Sequence, residues 1–272
     1  MKSILLHIAG DSCLDARLQV ALDMARAFEG HVTCLQAINY EVFAPGDFYG
    51  SAMAAAIPRI KEAAEELRAK VEGHLKNEDV SWEWVSCAGQ AEMKLLEQSA
   101  LHDIILVGPH DAGEDGTRSP SGMAGSLALR APVPVLVVPG HIKSFDATAP
   151  ALVAWNGSAE ACVALRQATP LLAKSDAVYL ATVEEASDKK RYDFPPVEGA
   201  KYLSRRNIEV ELVELPKGQA KIADTIFSAA QIRECGMVVM GAYGHSRLSE
   251  MLLGGVTRHS LTDPQMPIFL AH

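Results

Sequence analysis

Basic residues, cysteines, aromatics and long apolar runs are all scarce in this 272-residue chain, and each scarcity excludes something. Lys and Arg number 25 against 34 Asp and Glu, a formal net charge of −9. A chain so balanced lacks the broad positive footprint that holds a nucleic-acid backbone, so nucleic acid is not an expected partner. No apolar run approaches the ~18–20 residues that cross a bilayer, which removes the membrane as a partner as well. The opening run, Met1 to Ile8, is too short for a secretory signal and has no cleavage pattern. Cys13, Cys34, Cys87, Cys162 and Cys235 are odd in number, scattered and without a CxxC pair. Free thiols of a reducing compartment are the reading, and a cytoplasmic protein is expected. No His, Cys and carboxylate set has metal-ligand spacing, so no resident metal is assigned. Two phosphate-binding signatures are also missing: there is no G-x4-G-K-[ST], and no G-x-G-x-x-G follows the first strand.

What the chain does have is a globular composition and a repeat. An apolar fraction of 49% beside 22% charged residues excludes wholesale disorder. The length suits one large domain or two of about 135 residues. Internal similarity decides between them. Ile4-Leu5-Leu6-His7-Ile8-Ala9-Gly10 is answered by Ala151-Leu152-Val153-Ala154-Trp155-Asn156-Gly157, each followed by a helical pattern. At that offset of 147, Leu18 falls on Leu165 and Ala21 on Ala168. Gly89-Gln90-Ala91 then answers Gly218-Gln219-Ala220, and Asp103–Gly108 answers Gly236–Gly241 at an offset of 133. The offset falls because the first half carries extra residues, expected within Tyr40–Pro58. Two units follow, at 1–143 and 148–272, with His141–Pro150 as the linker.

Each unit alternates strand and helix. Ile104–Val107, Val133–Val138 and Met237–Met240 are short, nearly continuous apolar runs, as in parallel strands covered on both faces. Leu14, Leu18, Ala21, Leu22, Ala25 and Phe28 recur at helical spacing, as do Ile60, Ala64, Leu67 and Val71. Ser12 with Asp15 reads as a capping box opening the first helix. The fold class is therefore α/β: two tandem units, each a five-stranded, mainly parallel, doubly wound sheet. His7 reads as a core or strand-end histidine, Trp82 and Trp84 as packing residues of a strand near the sheet edge, and Glu62, Glu65 and Glu66 as a solvated helix face.

Ligands of such sheets sit beyond the carboxyl ends of the strands, where strand order reverses, which here means the first and fourth strands of each unit. After the fourth strand of the second unit the chain reads Gly241-x2-Gly244-x9-Gly254-Gly255-Val256-Thr257. Glycines admit a phosphate close to backbone N–H groups, and a helix opening near Gly255 would aim its free N–H groups at the same anion. His245, Arg247 and Arg258 add positive charge. On spacing alone, plain turn glycines are an equal reading.

This pattern resembles the universal stress protein family, as a tandem member whose two units cover nearly the whole chain. The resemblance implies a Rossmann-like fold of the adenine-nucleotide alpha hydrolase type. It also implies ATP or another adenine nucleotide in the second unit, with Mg2+ accompanying it. Carried onto this sequence, Gly241, Gly244, Gly254 and Gly255 would receive phosphate and ribose, with Val256 and Thr257 opening the helix and Met240 preceding the first glycine. Ala154, Trp155 and Asn156 would lie at the nucleoside, with Thr182 and Val183 flanking the base. Asn156 stands where the family commonly has Asp, and offers both a donor and an acceptor. Gly255 stands where the family has Ser or Thr. In the first unit, the ungapped offset puts Asp111 on Gly244 and Ser121 on Gly254, and adds Glu114 and Asp115 where phosphates would lie. That unit is expected not to bind ATP; Gly125-Ser126 gives an alternative motif reading with a longer loop.

Three function classes remain open. The first is a non-catalytic, nucleotide-regulated stress-response protein. The second is a slow ATPase or nucleotidyl-transfer enzyme in the same cleft, with Glu250 the only nearby carboxylate and no catalytic residue assigned. The third is a nucleotide-independent interaction or chaperone-like scaffold. Single-unit relatives commonly dimerise through the final strand, so the resemblance implies an internal pseudo-dimer here and allows a homodimer of the whole chain.

Overall fold

A computed structural model describes residues 1–40, 50–109, 122–183, 194–216, 218–242 and 255–272. Strand and helix alternate from the start: β1 (Ser3–Ile8), α1 (Leu14–Phe28), β2 (His31–Ile38), α2 (Gly50–Leu75), β3 (Ser81–Ala88), α3 (Ala91–Gln98), β4 (Ile104–Val107), α4 (Gly122–Arg130) and β5 (Val135–Val137). The same series then recurs as β6 (Ala151–Ala154), α5 (Ala159–Leu172), β7 (Val178–Val183), α6 (Pro196–Ser204), β8 (Glu211–Leu215), α7 (Ile222–Ile232), β9 (Met237–Gly241), α8 (Gly255–Thr262) and β10 (Ile268–Ala271).

The strands make one sheet in the order β3-β2-β1-β4-β5-β10-β9-β6-β7-β8. Every neighbouring pair is parallel except β5 with β10, which run antiparallel. There Leu136 faces Phe269, flanked by Val137 with Ile268 and Val135 with Leu270. The offset of 133 carries Leu136 onto Phe269, so the central residue meets its own counterpart, while Val135 and Val137 each meet the counterpart of the other. That is the signature of an isologous contact, and the two units form an internal pseudo-dimer about an axis through that pair. Each unit's apolar edge strand is thereby covered by the other's.

Helices cover both faces, as the near-continuous apolar strands require. Ile4 and Leu6 join α1, α2, α5 and α6 in one core, while Leu5 and Ile105 join α3, α4, α7 and α8 in the other. The apolar stripe of α1 is buried as its spacing requires, and the helix stops where Glu29 turns left-handed at φ 50. Its start corrects the capping-box reading. Ser12 makes no cap; Cys13 holds the N-cap position without a side-chain bond, and the Asp11 carboxylate accepts from the Cys13 N–H at 2.7 Å instead. The helix starts one residue later than the box requires, with Cys13 instead of Ser12 at the N-cap.

The extra length of the first unit lies between β2 and β3, where α2 has 26 residues against 9 in α6. Of the expected insertion, 41–49 lies outside the described residues, and Gly50 to Pro58 is helical. Glu62, Glu65 and Glu66 are exposed on α2. Trp82 and Trp84 are half-buried on β3, an edge strand, and pack against the core. The linker has neither strand nor helix, yet it is docked. Phe145 is buried with its N–H on the Asp23 carboxylate at 2.9 Å, and His141 Nε2 lies 3.0 Å from the Gln265 carbonyl. No helix among the described residues is long and apolar enough to cross a membrane.

Candidate functional site

Sheet topology defines a crevice in each unit. The chain runs outward from β6 to β7 and β8, then returns to place β9 and β10 on the other side of β6. Strand order therefore reverses between β6 and β9, and between β1 and β4 in the first unit, at their carboxyl ends.

In the second unit β6 ends at Ala154, and its next residues are held firmly. The Trp155 N–H donates to the Ala181 carbonyl at 2.8 Å, while its buried indole N–H donates to the Phe194 carbonyl at 3.0 Å. The indole therefore packs beneath α6, beside Gly199, and serves as a wall of the strand end. Gly157 adopts φ +77, and a Cβ there would lie 2.4 Å from the Phe194 carbonyl oxygen. Phe194 also donates its N–H to the Gly157 carbonyl at 2.9 Å, so the chain leading into α6 is strapped to the end of β6. Asn156, between these anchors, is exposed. Its carbonyl oxygen accepts from the Ser158 N–H at 3.1 Å, and among the described residues its amide nitrogen bonds to nothing. The side chain keeps its amide N–H donors and the second lone pair of its oxygen for a ligand. Ser158 in turn caps α5, its hydroxyl accepting from the Ala161 N–H.

Thr182 and Val183, half-buried, end β7 alongside Glu214 and Leu215. Met240 is buried within β9 beside Leu270 and belongs to the core. Gly241 ends that strand, and its missing side chain has a packing reason: a Cβ would lie 2.6 Å from the Glu160 carbonyl carbon and 2.7 Å from the Ala161 nitrogen. The first turn of α5 thus rests on Gly241, with the backbone and Cβ of Glu160 beside it, a residue the sequence pattern did not single out. α8 is described from Gly255 to Thr262, and the residues that precede it, 243–254, lie outside the described residues. Val256 packs on the core, Thr257 is buried, and Ser260 one turn on is buried with a hydroxyl unpartnered among the described residues. His259 bridges α8 to α7, 2.7 Å from the Asp224 carboxylate. Gly244, His245, Arg247, Glu250 and Gly254 lie outside the described residues. The structure therefore sets the carboxyl ends of β6, β7 and β9 side by side, while the segment 243–254 between β9 and α8 lies outside the described residues.

The first unit's crevice is built differently. Arg17 is fully buried. Its guanidinium forms a two-pronged pair with Asp11, at 2.8 Å on each oxygen, and donates to the carbonyls of His7 at 3.3 Å and Ala9 at 3.4 Å. A Cβ on Gly108, just past β4, would lie 2.6 Å from this guanidinium. The group therefore sits between the carboxyl ends of β1 and β4. Burial, reinforced by Arg17 and opposed by Asp11, pushes the neighbouring His7 down to about 4. The sequence signal for Arg17 was its place three residues after Leu14 and four before Ala21, on the apolar face of α1. The alternative motif reading through Gly125-Ser126 fails, because both residues lie inside α4 and Ser126 donates to Glu92 at 2.6 Å. Asp111, Glu114, Asp115 and Ser121 lie outside the described residues.

Two surface hollows, of ≈430 Å³ by Asp23, Phe145 and Lys174 and of ≈290 Å³ by Asp224, His259 and Asp263, lie at the opposite ends of α1, α5 and α8 from these crevices. Among the described residues, no group of three or more His, Cys, Asp or Glu is placed to hold a metal.

The sequence profile of the universal stress protein family matches this chain twice, at residues 1–139 and 149–270. The chain belongs to the universal stress protein family. Its fold is similar to that of a universal stress protein from Archaeoglobus fulgidus DSM 4304, at 18% identity and a TM-score of 0.75, over 98% of this chain and 97% of that one. A functionally unknown protein from Pseudomonas aeruginosa PAO1 is similar at 17% identity and a TM-score of 0.58, over 100% of this chain and 92% of that one. Comparison with curated protein sequences finds no match. As a tandem universal stress protein, the chain carries two copies of one Rossmann-like unit in a single sheet.

Proposed function

We propose that this universal stress protein binds an adenine nucleotide, ATP foremost, in the unit at 148–272, as a regulatory ligand in the cytoplasm. One observation carries the reading. The strand ends of β6, β7 and β9 lie side by side at the reversal of strand order with Ala164 and Ser158 behind them, whereas the matching crevice of the unit at 1–143 holds a buried, ion-paired Arg17. Ala154, Trp155 and Asn156 form the base and ribose side, with Thr182 and Val183 across from them. The Asn156 amide nitrogen supplies a donor to a ring nitrogen or ribose oxygen. Gly255, Val256 and Thr257 present free N–H groups of an eight-residue helix to phosphate. Gly244, His245, Arg247 and Gly254 complete the phosphate side, and Met240 and Gly241 set the strand from which that loop departs. Mg2+ accompanies the triphosphate and screens its charge. All five cysteines are free, in keeping with a reducing compartment.

A ligand held by β6, β9 and α8 together stabilises the folded unit by mass action, by about 2.7 kcal/mol at a concentration of a hundred times its Kd. A regulatory role follows from that linkage and needs no bond to break. A slow ATPase in the same cleft is the second reading, and Glu160 is the residue to vary for it, because its backbone and Cβ pack against Gly241 at the end of β9. Dimerisation of whole chains would use another surface, since β5 and β10 already pair with each other.

The test is mass spectrometry of small molecules released from protein purified without added nucleotide, followed by calorimetry with ATP on wild type and Gly244→Asp. Released adenine nucleotide, with binding heat lost in the variant, supports the reading. Equal, negligible heats in both leave the interaction scaffold as the function. Phosphate release that disappears in Glu160→Gln would favour the ATPase.

A further inference from the structure

The buried Arg17–Asp11 pair calls for an explanation. Removing a charge from water is unfavourable unless every donor is satisfied, and an apolar side chain at position 17 would fit the stripe of α1 more simply. The second unit has that arrangement. At the offset of 147, Ala164 stands where Arg17 stands, Ser158 where Asp11 stands, and Asn156 where Ala9 stands. The β1–β4 and β6–β9 registers bear out the comparison, since Ile4 faces Ile104 as Ala151 faces Met237.

What the guanidinium touches shows where it sits. It donates to the His7 and Ala9 carbonyls, at and just beyond the end of β1, and lies against Gly108, just beyond β4. These are the equivalents of Ala154, Asn156 and Gly241, the strand ends that the second unit offers to a ligand. A guanidinium is flat and rich in N–H donors, as is the amino edge of a purine, and it satisfies the same kind of backbone acceptor.

We infer that Arg17, oriented by Asp11, is a built-in occupant of the first unit's crevice and the residue that confines ligand binding to the second. This rests on the nucleotide reading above only in its second half. The occupancy itself has a test without nucleotide. In Arg17→Ala the space and the Asp11 carboxylate remain, so millimolar methylguanidinium should raise the variant's lowered Tm saturably, by at least about 3 °C, and leave wild type unmoved. Asp11→Asn in the same background should abolish the rescue. A folded Arg17→Ala protein that methylguanidinium does not stabilise overturns the inference.

The reciprocal variant, Ser158→Asp with Ala164→Arg, builds the pair into the second unit and decides the matter if Arg17→Ala does not fold. With the circular dichroism of wild type retained, it should weaken ATP binding on the order of tenfold or more. Unchanged ATP affinity there would contradict the role in confining the ligand. Should wild type bind no ATP, the nucleotide reading fails, and the same pair of substitutions still reports. Its melting should then show a guanidinium buried in the new site, as a Tm above that of Ala164→Arg alone; no such gain overturns the occupancy.

Discussion

His7 shows how one buried side chain sets a pH limit on the whole fold. It is 7% exposed, and burial with the adjacent Arg17 holds it neutral, with a pKa of about 4 against 6.5 when unfolded. Above 6.5 both states are neutral and the histidine has no effect on stability. As pH falls from 6.5 towards 4 the unfolded chain takes up a proton that the folded chain refuses. Stability therefore drops through that window, by about 3 kcal/mol at its foot. Chemical denaturation of wild type and His7→Gln between pH 7 and 4 checks this: the variant should lose less, and parallel losses would refute the assignment. Burial likewise pushes the Cys34 thiol up to about 12 and the Cys235 thiol up to about 11. Neither should react with iodoacetamide at pH 8 until the protein is unfolded, which peptide mass mapping reads directly. At this scale the sequence was partly legible. His7 sits in an apolar run and had to be buried. Arg17 sits in an apolar stripe too, yet an arginine on a helix is ordinarily solvated, and only its acceptors at the end of β1 explain its burial. Nothing local in the sequence announces those acceptors.

Elements were far more legible, because period and repetition act over many residues at once. The alternation of strand and helix and the reversal of strand order follow from apolar spacing and from the rules of parallel sheets. Boundaries set by one polar contact did not follow, as at Ser12, where an Asx-type bond from Asp11 displaced the expected box. The same dependence on single contacts makes the strap at β6 testable. Gly157→Ala puts a Cβ against the Phe194 backbone at a φ of +77, so it should destabilise by more than about 1 kcal/mol and lower the thermal midpoint. Ser158→Ala removes the α5 cap and should destabilise by about 1 kcal/mol in urea titration. At the junction, Phe269→Ala empties a fully buried site at the pseudo-two-fold and should destabilise by about 3–5 kcal/mol. A smaller loss than for an exposed residue such as Leu101 would show that the antiparallel pairing does not hold the halves together.

Across the whole molecule, duplication has given two crevices of the same topology and different content. One holds a guanidinium from its own α1; the other has Ala164 at that position and an exposed Asn156 at the end of β6. The repeat itself was legible because a whole unit must be copied to make a second sheet half. The difference in content was legible only in part, through the missing glycines and added acids of the first unit, since Arg17 and Asp11 lie more than ninety residues before Gly108, where that unit's motif region begins. The central claim is therefore one of number. Native mass spectrometry of the intact chain across an ATP titration reads that number directly. The account predicts saturation at one ATP per chain, lost in Gly244→Asp. Saturation at two, or no binding under conditions where the protein is folded, would contradict it.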